Sequence, residues 1–95
     1  MSYMSEFPDY DGALYVPDGW VDNSWHNDVC PRAMKRTSDE TIEYSIWQDY
    51  VEPSKRERDD VKRYLFQIFV GCDNIFSLET DSLDEIKALV KAVEQ

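Results

Sequence analysis

Residues Trp20–Pro31, WVDNSWHNDVCP, hold the one histidine of the chain, one of its two cysteines and two of its three tryptophans. Asp22 and Asp28 lie among them, and no lysine or arginine does. Three chemistries use such residue types. A cysteine nucleophile needs a histidine within hydrogen-bond reach and a third group to orient that histidine. His26, flanked by Asp22 and Asp28 and followed by Cys30, supplies the types, although spacing in a loop does not itself bring them together. A zinc ion takes about three or four N, S or O ligands. Asp22, His26, Asp28, Cys30 and the distant Cys72 would be that set, in a spacing that matches no standard ligand pattern. The third chemistry is recognition. Trp gives large contact area at low entropic cost, and carboxylates beside it pair with Arg or Lys of a basic partner. On this reading the partner-binding residues are Asp18, Trp20, Asp22, Trp25 and Asp28. The competing structural reading places Trp20 and Trp25 in the core, lets the Asp and Asn side chains make Asx turns, and gives His26 the task of holding the loop in shape.

Charge favours recognition. The 95 residues carry 20 acids against 10 bases, a formal charge of −10. Such a chain repels the phosphate backbone and anionic membranes, so direct nucleic-acid binding is disfavoured and a basic protein is the natural partner. The first 31 residues contain six acids and no base, interleaved with Tyr3, Phe7, Tyr10, Tyr15, Trp20 and Trp25. Acidic surfaces also serve solubility alone. Apolar residues at 42% are ample for the small core of one domain, residues 1–95, so global disorder is not expected. No glycine-rich phosphate loop, G-x-S-x-G, H-E-x-x-H or EF-hand pattern occurs. Asp9 with Asp11, and Asp59 with Asp60, are weak acid/base pairs in so acidic a chain. The expectation is no catalytic residue, no cofactor and no metal. Two cysteines without a secretion signal or an apolar span read as reduced, partly buried thiols in a cytoplasmic protein.

The elements that must position these residues follow from periodicity. Residues 1–12 are irregular, with Pro8 and Gly12, and are either frayed or docked by their three rings. Ala13–Val16 reads as a short strand ended by Pro17, with Pro17-Asp18-Gly19 as a turn. Arg32–Thr37 and Thr41–Val51 read as a hairpin across Ser38–Glu40, with Ile42, Tyr44 and Ile46 on one face and Glu43, Ser45 and Trp47 on the other. Glu52–Asp60 is a charged turn; five bases lie in Lys55–Arg63, and a solvated tip is the main reading, a basic patch the lesser one. Val61–Val70 is the strongest strand, with Tyr64, Phe66, Ile68 and Val70 on one face. Leu65 and Phe69 suggest that its other face is covered too. Asn74–Thr80 pairs back across Gly71–Asn74. Residues 81–94 form a helix, with Ser82 and Glu85 as a capping box and Leu83, Ile86, Leu89, Val90 and Val93 on one stripe. The sum is an α+β fold: an antiparallel sheet of about four strands with one C-terminal helix packed on it.

In size, charge and aromatic-acidic texture the chain resembles the small acidic single-domain proteins that phages use against bacterial defence, including anti-CRISPR proteins and DNA mimics. These share no signature, so no residue carries over. The resemblance implies a non-catalytic inhibitor, located in the host cytoplasm if phage-encoded, that occupies a basic nucleic-acid groove on a protein or nucleoprotein complex. An immunity or antitoxin protein that plugs a nuclease toxin shares the charge logic and stays open. So does a small catalytic or metal-binding protein that uses His26, Asp28 and Cys30.

Overall fold

The alternating stretches pair in chain order. The computed structural model describes residues 2–58 and 60–94. Asp59, one member of the Asp59–Asp60 pair, lies outside the described residues. Five antiparallel strands stand in the order β1-β2-β3-β4-β5: β1 (Val21–Asp22), β2 (Arg32–Arg36), β3 (Ile42–Gln48), β4 (Tyr64–Val70) and β5 (Asp73–Thr80). A short helix, α1 (Tyr3–Glu6), precedes them, and α2 (Leu83–Val93) follows. The fold is α+β, as the periodicity indicates, with five strands where about four are expected.

The difference lies in two short segments. Ala13–Val16 is not a strand. Its backbone is held by a side chain: Tyr15 N–H donates to Gln48 Oε1 (2.8 Å), and Gln48 Nε2 donates back to Tyr15 O (2.7 Å). Gln48 is fully buried, so its amide replaces the strand neighbour that this segment lacks. The edge position falls instead to Val21–Asp22, which pairs with Met34 and Ala33. Two residues are too few to show a period.

The hairpins form as expected. Between β2 and β3, Glu40 takes a φ of 60°. The Asp39 carboxylate accepts from the Thr37 hydroxyl, the Thr41 hydroxyl and Thr41 N–H. Between β4 and β5, Gly71 has a φ of 60°, which glycine adopts without a Cβ penalty.

Register sorts the side chains onto two faces. Ala33, Ile46, Phe66 and Leu78 form one row across the sheet, and Tyr44, Ile68 and Phe76 the next. This helix face receives Ile86 and Val90 of α2, both buried, together with Trp20 and the margin of Tyr15. Trp20 packs with ring centroids 6.1 Å from Tyr44 and 6.4 Å from Phe66. Full burial of a side chain such as Phe66 or Ile46 contributes roughly 1.5–3 kcal/mol. The other face carries Arg32, Trp47, Leu65 and Glu79 in one row and Met34, Ser45, Gln67 and Ser77 in the next. Contrary to the expectation of cover on both sides, Leu65, Gln67 and Phe69 are only half-buried there. Met34 and Ser45, in the same row as Gln67, are buried, so this face is open mainly over β4 and β5.

Ser82 caps α2 through its hydroxyl, which accepts Glu85 N–H (3.2 Å). The reciprocal half of the capping box is relayed instead: Ser82 N–H donates to Thr80 Oγ1, and that hydroxyl donates to Glu85.

The N-terminal segment is docked. Phe7 is buried, Tyr3 meets Tyr10 edge-on, and Tyr10 meets Tyr50 edge-on. The charged turn is a solvated tip over its described residues, with one inward-turned side chain. Arg56 points inward and donates to Tyr50 O (2.7 Å), Val61 O (2.9 Å) and Val51 O (3.1 Å).

Candidate functional site

An irregular segment leaves many backbone N–H groups without strand or helix partners, and a carboxylate is a strong acceptor for them. That explains most of the acidic N-terminal third. Asp22 accepts from Tyr3 N–H (2.6 Å), Ser24 N–H and the Ser24 hydroxyl. Asp11 accepts from Val51 and Glu52 N–H, both at 2.8 Å. Asp9 accepts from the Tyr50 hydroxyl (2.9 Å). Glu6 accepts from His26 N–H and lies 3.0 Å from His26 Nδ1. Four of the six acids therefore tie loops together.

Two of the five sequence-indicated contact residues leave the set on these grounds. Trp20 is 6% exposed, in the core against Phe66, because its ring fills the space between α2 and the sheet. Asp22 is half-buried, and both of its carboxylate oxygens already accept from the Tyr3 and Ser24 N–H groups and the Ser24 hydroxyl. Asp18 is exposed but stands on the helix face, close enough to raise the pKa of Tyr15 along with Glu94, behind the desolvation that dominates that shift. Trp25 is exposed, with its ring stacked 4.3 Å from that of His26. Asp28 alone reaches a concave surface.

That surface is a groove of about 430 Å³ on the open face of the sheet. Trp47, Leu65 and Gln67 form its floor, the Asn27–Cys30 loop one wall, and Val61–Arg63 with Glu57 the other. β3 and β4 present Trp47 and Leu65 as direct cross-strand partners. Trp47 is fixed from two sides: its Nε1 donates to Gln67 Oε1 (2.9 Å), and the Arg32 guanidinium lies 4.8 Å from its ring centroid. Asp28, Asp49, Glu57 and Glu79 bring four carboxylates to the groove against Lys62 and Arg63. Both bases have other partners. Lys62 pairs with Asp81 (3.6 Å), and Arg63 bonds Asp49 O and Tyr10 and lies over the Tyr64 ring. Among the described residues, the side chains of Asp28, Glu57 and Glu79 have neither a hydrogen-bond nor an ion-pair partner. The groove is thus an apolar floor under a rim of uncompensated acids.

No protein-family model, curated protein or solved structure matches the chain. The site therefore rests on its geometry.

His26, Asp28 and Cys30 sit in different surroundings. Burial pushes the Cys30 thiol up to about 12, with Asp49 adding to it, so the sulfur stays protonated and a poor nucleophile. His26 Nδ1 lies 3.0 Å from Glu6 Oε1. Both cysteines are free; Cys30 is buried, and Cys72, expected to be partly buried, is exposed at the β4–β5 turn. Among the described residues, no group of three His, Cys, Asp or Glu side chains is placed to hold a metal ion. No helix is long and apolar enough to cross a membrane.

Sequence periodicity could have found the floor. Trp47 and Leu65 are large apolar residues on the wet side of alternating strands, which is the signal of a contact surface. Glu57 and Glu79 carried no signal, being two acids among many.

Asp49 sits low in this groove, buried, with Oδ1 accepting Tyr50 N–H (2.9 Å). Burial raises its carboxyl pKa, offset in part by that N–H and by Arg56. A carboxyl pKa raised in the folded state means that the native protein binds more protons than the unfolded chain. This group therefore favours the fold as pH falls through the raised value and opposes it above. Asp49→Asn keeps the acceptor and removes the charge. It is expected to raise the thermal midpoint by a few degrees near pH 7, with the gain vanishing below about pH 4, where the wild-type carboxyl is protonated in both states. Calorimetry across that range checks it; a midpoint lowered at neutral pH would show that the charge supports the fold.

Proposed function

We propose that this protein is a non-catalytic binding protein whose acidic groove takes a basic segment of a protein or nucleoprotein partner and blocks it. The observation that carries this reading is the pairing of an apolar floor, Trp47 and Leu65, with the unpartnered carboxylates of Asp28, Glu57 and Glu79. An Arg or Lys side chain matches both parts. Its aliphatic stem lies along Trp47 and Leu65, and its charged head meets the rim. The formal charge of −10 steers such a partner in and repels competing nucleic acid. A surface basic enough to fit is one that would otherwise hold phosphates, so occupying it would inhibit a nucleic-acid-handling partner.

The test uses an oligolysine peptide as probe, with affinity measured by calorimetry. The double reversal Asp28→Lys, Glu57→Lys is expected to weaken binding about tenfold or more. Asp18→Lys with Glu94→Lys makes the same change in net charge on the helix side and is expected to leave affinity within about threefold, since distant exposed charges are screened. Equal losses for the two pairs would mean that the peptide responds to net charge and not to the groove.

A further inference from the structure

The groove is bordered by a second unpartnered feature, the outer edge of β5. Gly71 N–H donates to Thr41 O and Gln48 N–H donates to Pro31 O. These two bonds set the alternation of the whole ladder. Odd-numbered residues of β3 and β4 bond to each other, and even-numbered residues of β4 bond to β5. Tyr64, Phe66 and Ile68 stand opposite Thr80, Leu78 and Phe76. The backbone N–H and C=O groups of Ser77 and Glu79 therefore point away from the sheet, with nothing paired to them among the described residues. Native edge strands are usually short or blunted by lysine or proline. β5 runs for eight residues with neither, and its one register irregularity falls near Ile75, leaving Phe76–Thr80 regularly paired. Ile75 is 60% exposed, Phe76 39% and the neighbouring Val70 42%.

We propose that the basic partner adds an extended segment to this edge as a sixth strand, and that its alternate side chains reach Glu79 and the groove rim. The inference deepens the groove reading and rests on it for the charge of the partner. Side chains of the added strand that fall on the open face meet Ser77 and Glu79; those on the other face cover Phe76 and Leu78. A segment alternating basic and apolar residues fits both. Charge selects this occupant over a second copy of the chain. β5 carries Asp73 and Glu79 and no base, so a second copy would bring a like-charged edge and a further charge of −10.

The probe is a labelled peptide of alternating lysine and valine, compared with two versions N-methylated on one or the other alternate set of amides. Each methylated set blocks one edge of the peptide. One version only is expected to bind about tenfold or more weakly than the parent, because only one edge of the peptide faces β5. In the protein, Ser77→Pro removes an outward N–H at a position where an edge strand tolerates proline. It is expected to weaken the parent peptide by about the same factor while its thermal midpoint stays near that of the wild type. On binding, amide exchange at Ser77 and Glu79 is expected to slow. If Ser77→Pro fails to fold, the methylated peptides decide. Equal binding of all three peptides overturns strand addition, and the groove reading stands if Asp28→Lys, Glu57→Lys still weakens oligolysine. A methylation effect with no response to that double reversal keeps the edge and overturns the groove. Failure of oligolysine and of the parent lysine–valine peptide alike to bind overturns both readings.

Discussion

Arg56→Ala is expected to lower the unfolding free energy by roughly 3–5 kcal/mol, a large part of the stability of so small a domain. The Arg56 side chain is 7% exposed and donates to three carbonyls, of Tyr50, Val51 and Val61. Those carbonyls belong to a charged loop with only the 3-10 turn Pro53–Lys55 as regular structure, so no backbone ladder replaces the lost donors. Arg56→Lys is expected to recover little, because an ammonium lacks the planar fork that reaches three acceptors at once. Urea unfolding of both variants provides the measurement. The loop also forms one wall of the groove, so the alanine variant should lose oligolysine affinity even at temperatures where it remains folded. A loss of less than about 1 kcal/mol would mean that the loop holds itself without the clamp.

Gln48→Leu is expected to cost roughly 1–3 kcal/mol, since it leaves both Tyr15 N–H and Tyr15 C=O without partners in a part-buried setting. The shape is nearly conserved, so the effect isolates the two hydrogen bonds. Gln48→Glu should be worse still: the carboxylate cannot donate to Tyr15 O and places a charge at a fully buried position. Releasing residues 13–16 would loosen Trp20, whose ring covers Phe66 and Tyr44. A red shift of tryptophan emission that precedes global unfolding would report this. Coincident transitions with near wild-type stability would show that Tyr15 is held by packing alone.

The sheet and α2 were legible because their patterns are long. β3 and β4 alternate over seven residues each, and α2 shows an apolar stripe behind a serine cap. β1 was not legible, being two residues fixed by pairing with Met34 and Ala33. Ala13–Val16 misled because ALYV has strand propensity; the partner that decides its state is a side chain 33 positions away. Arg56 looked like one of five loop bases, and nothing local marks an arginine that turns inward. The site was partly legible. Asp28 does line the groove, Trp20 is a core residue that its type made look like a contact anchor, and Asp22 looked free because its acceptor role depends on Tyr3, on a segment whose docking the sequence left open. Trp47 was placed on the correct face but read as incidental. What the sequence could not show is which acids are already bonded, and that distinction separates four loop ties from the three rim carboxylates.

A basic segment bound in the open-face groove would perturb a definable set of nuclei. Titrating the isotope-labelled protein with oligolysine, followed by backbone and indole NMR, tests it most directly. The largest shifts are expected on Trp47 Nε1, Leu65, Gln67, Glu79 and the Asn27–Cys30 loop, with Trp20 and the outer side of α2 unmoved. Shifts centred instead on Asp18, Trp25 or Glu94, or spread evenly over every exposed acid, would contradict it.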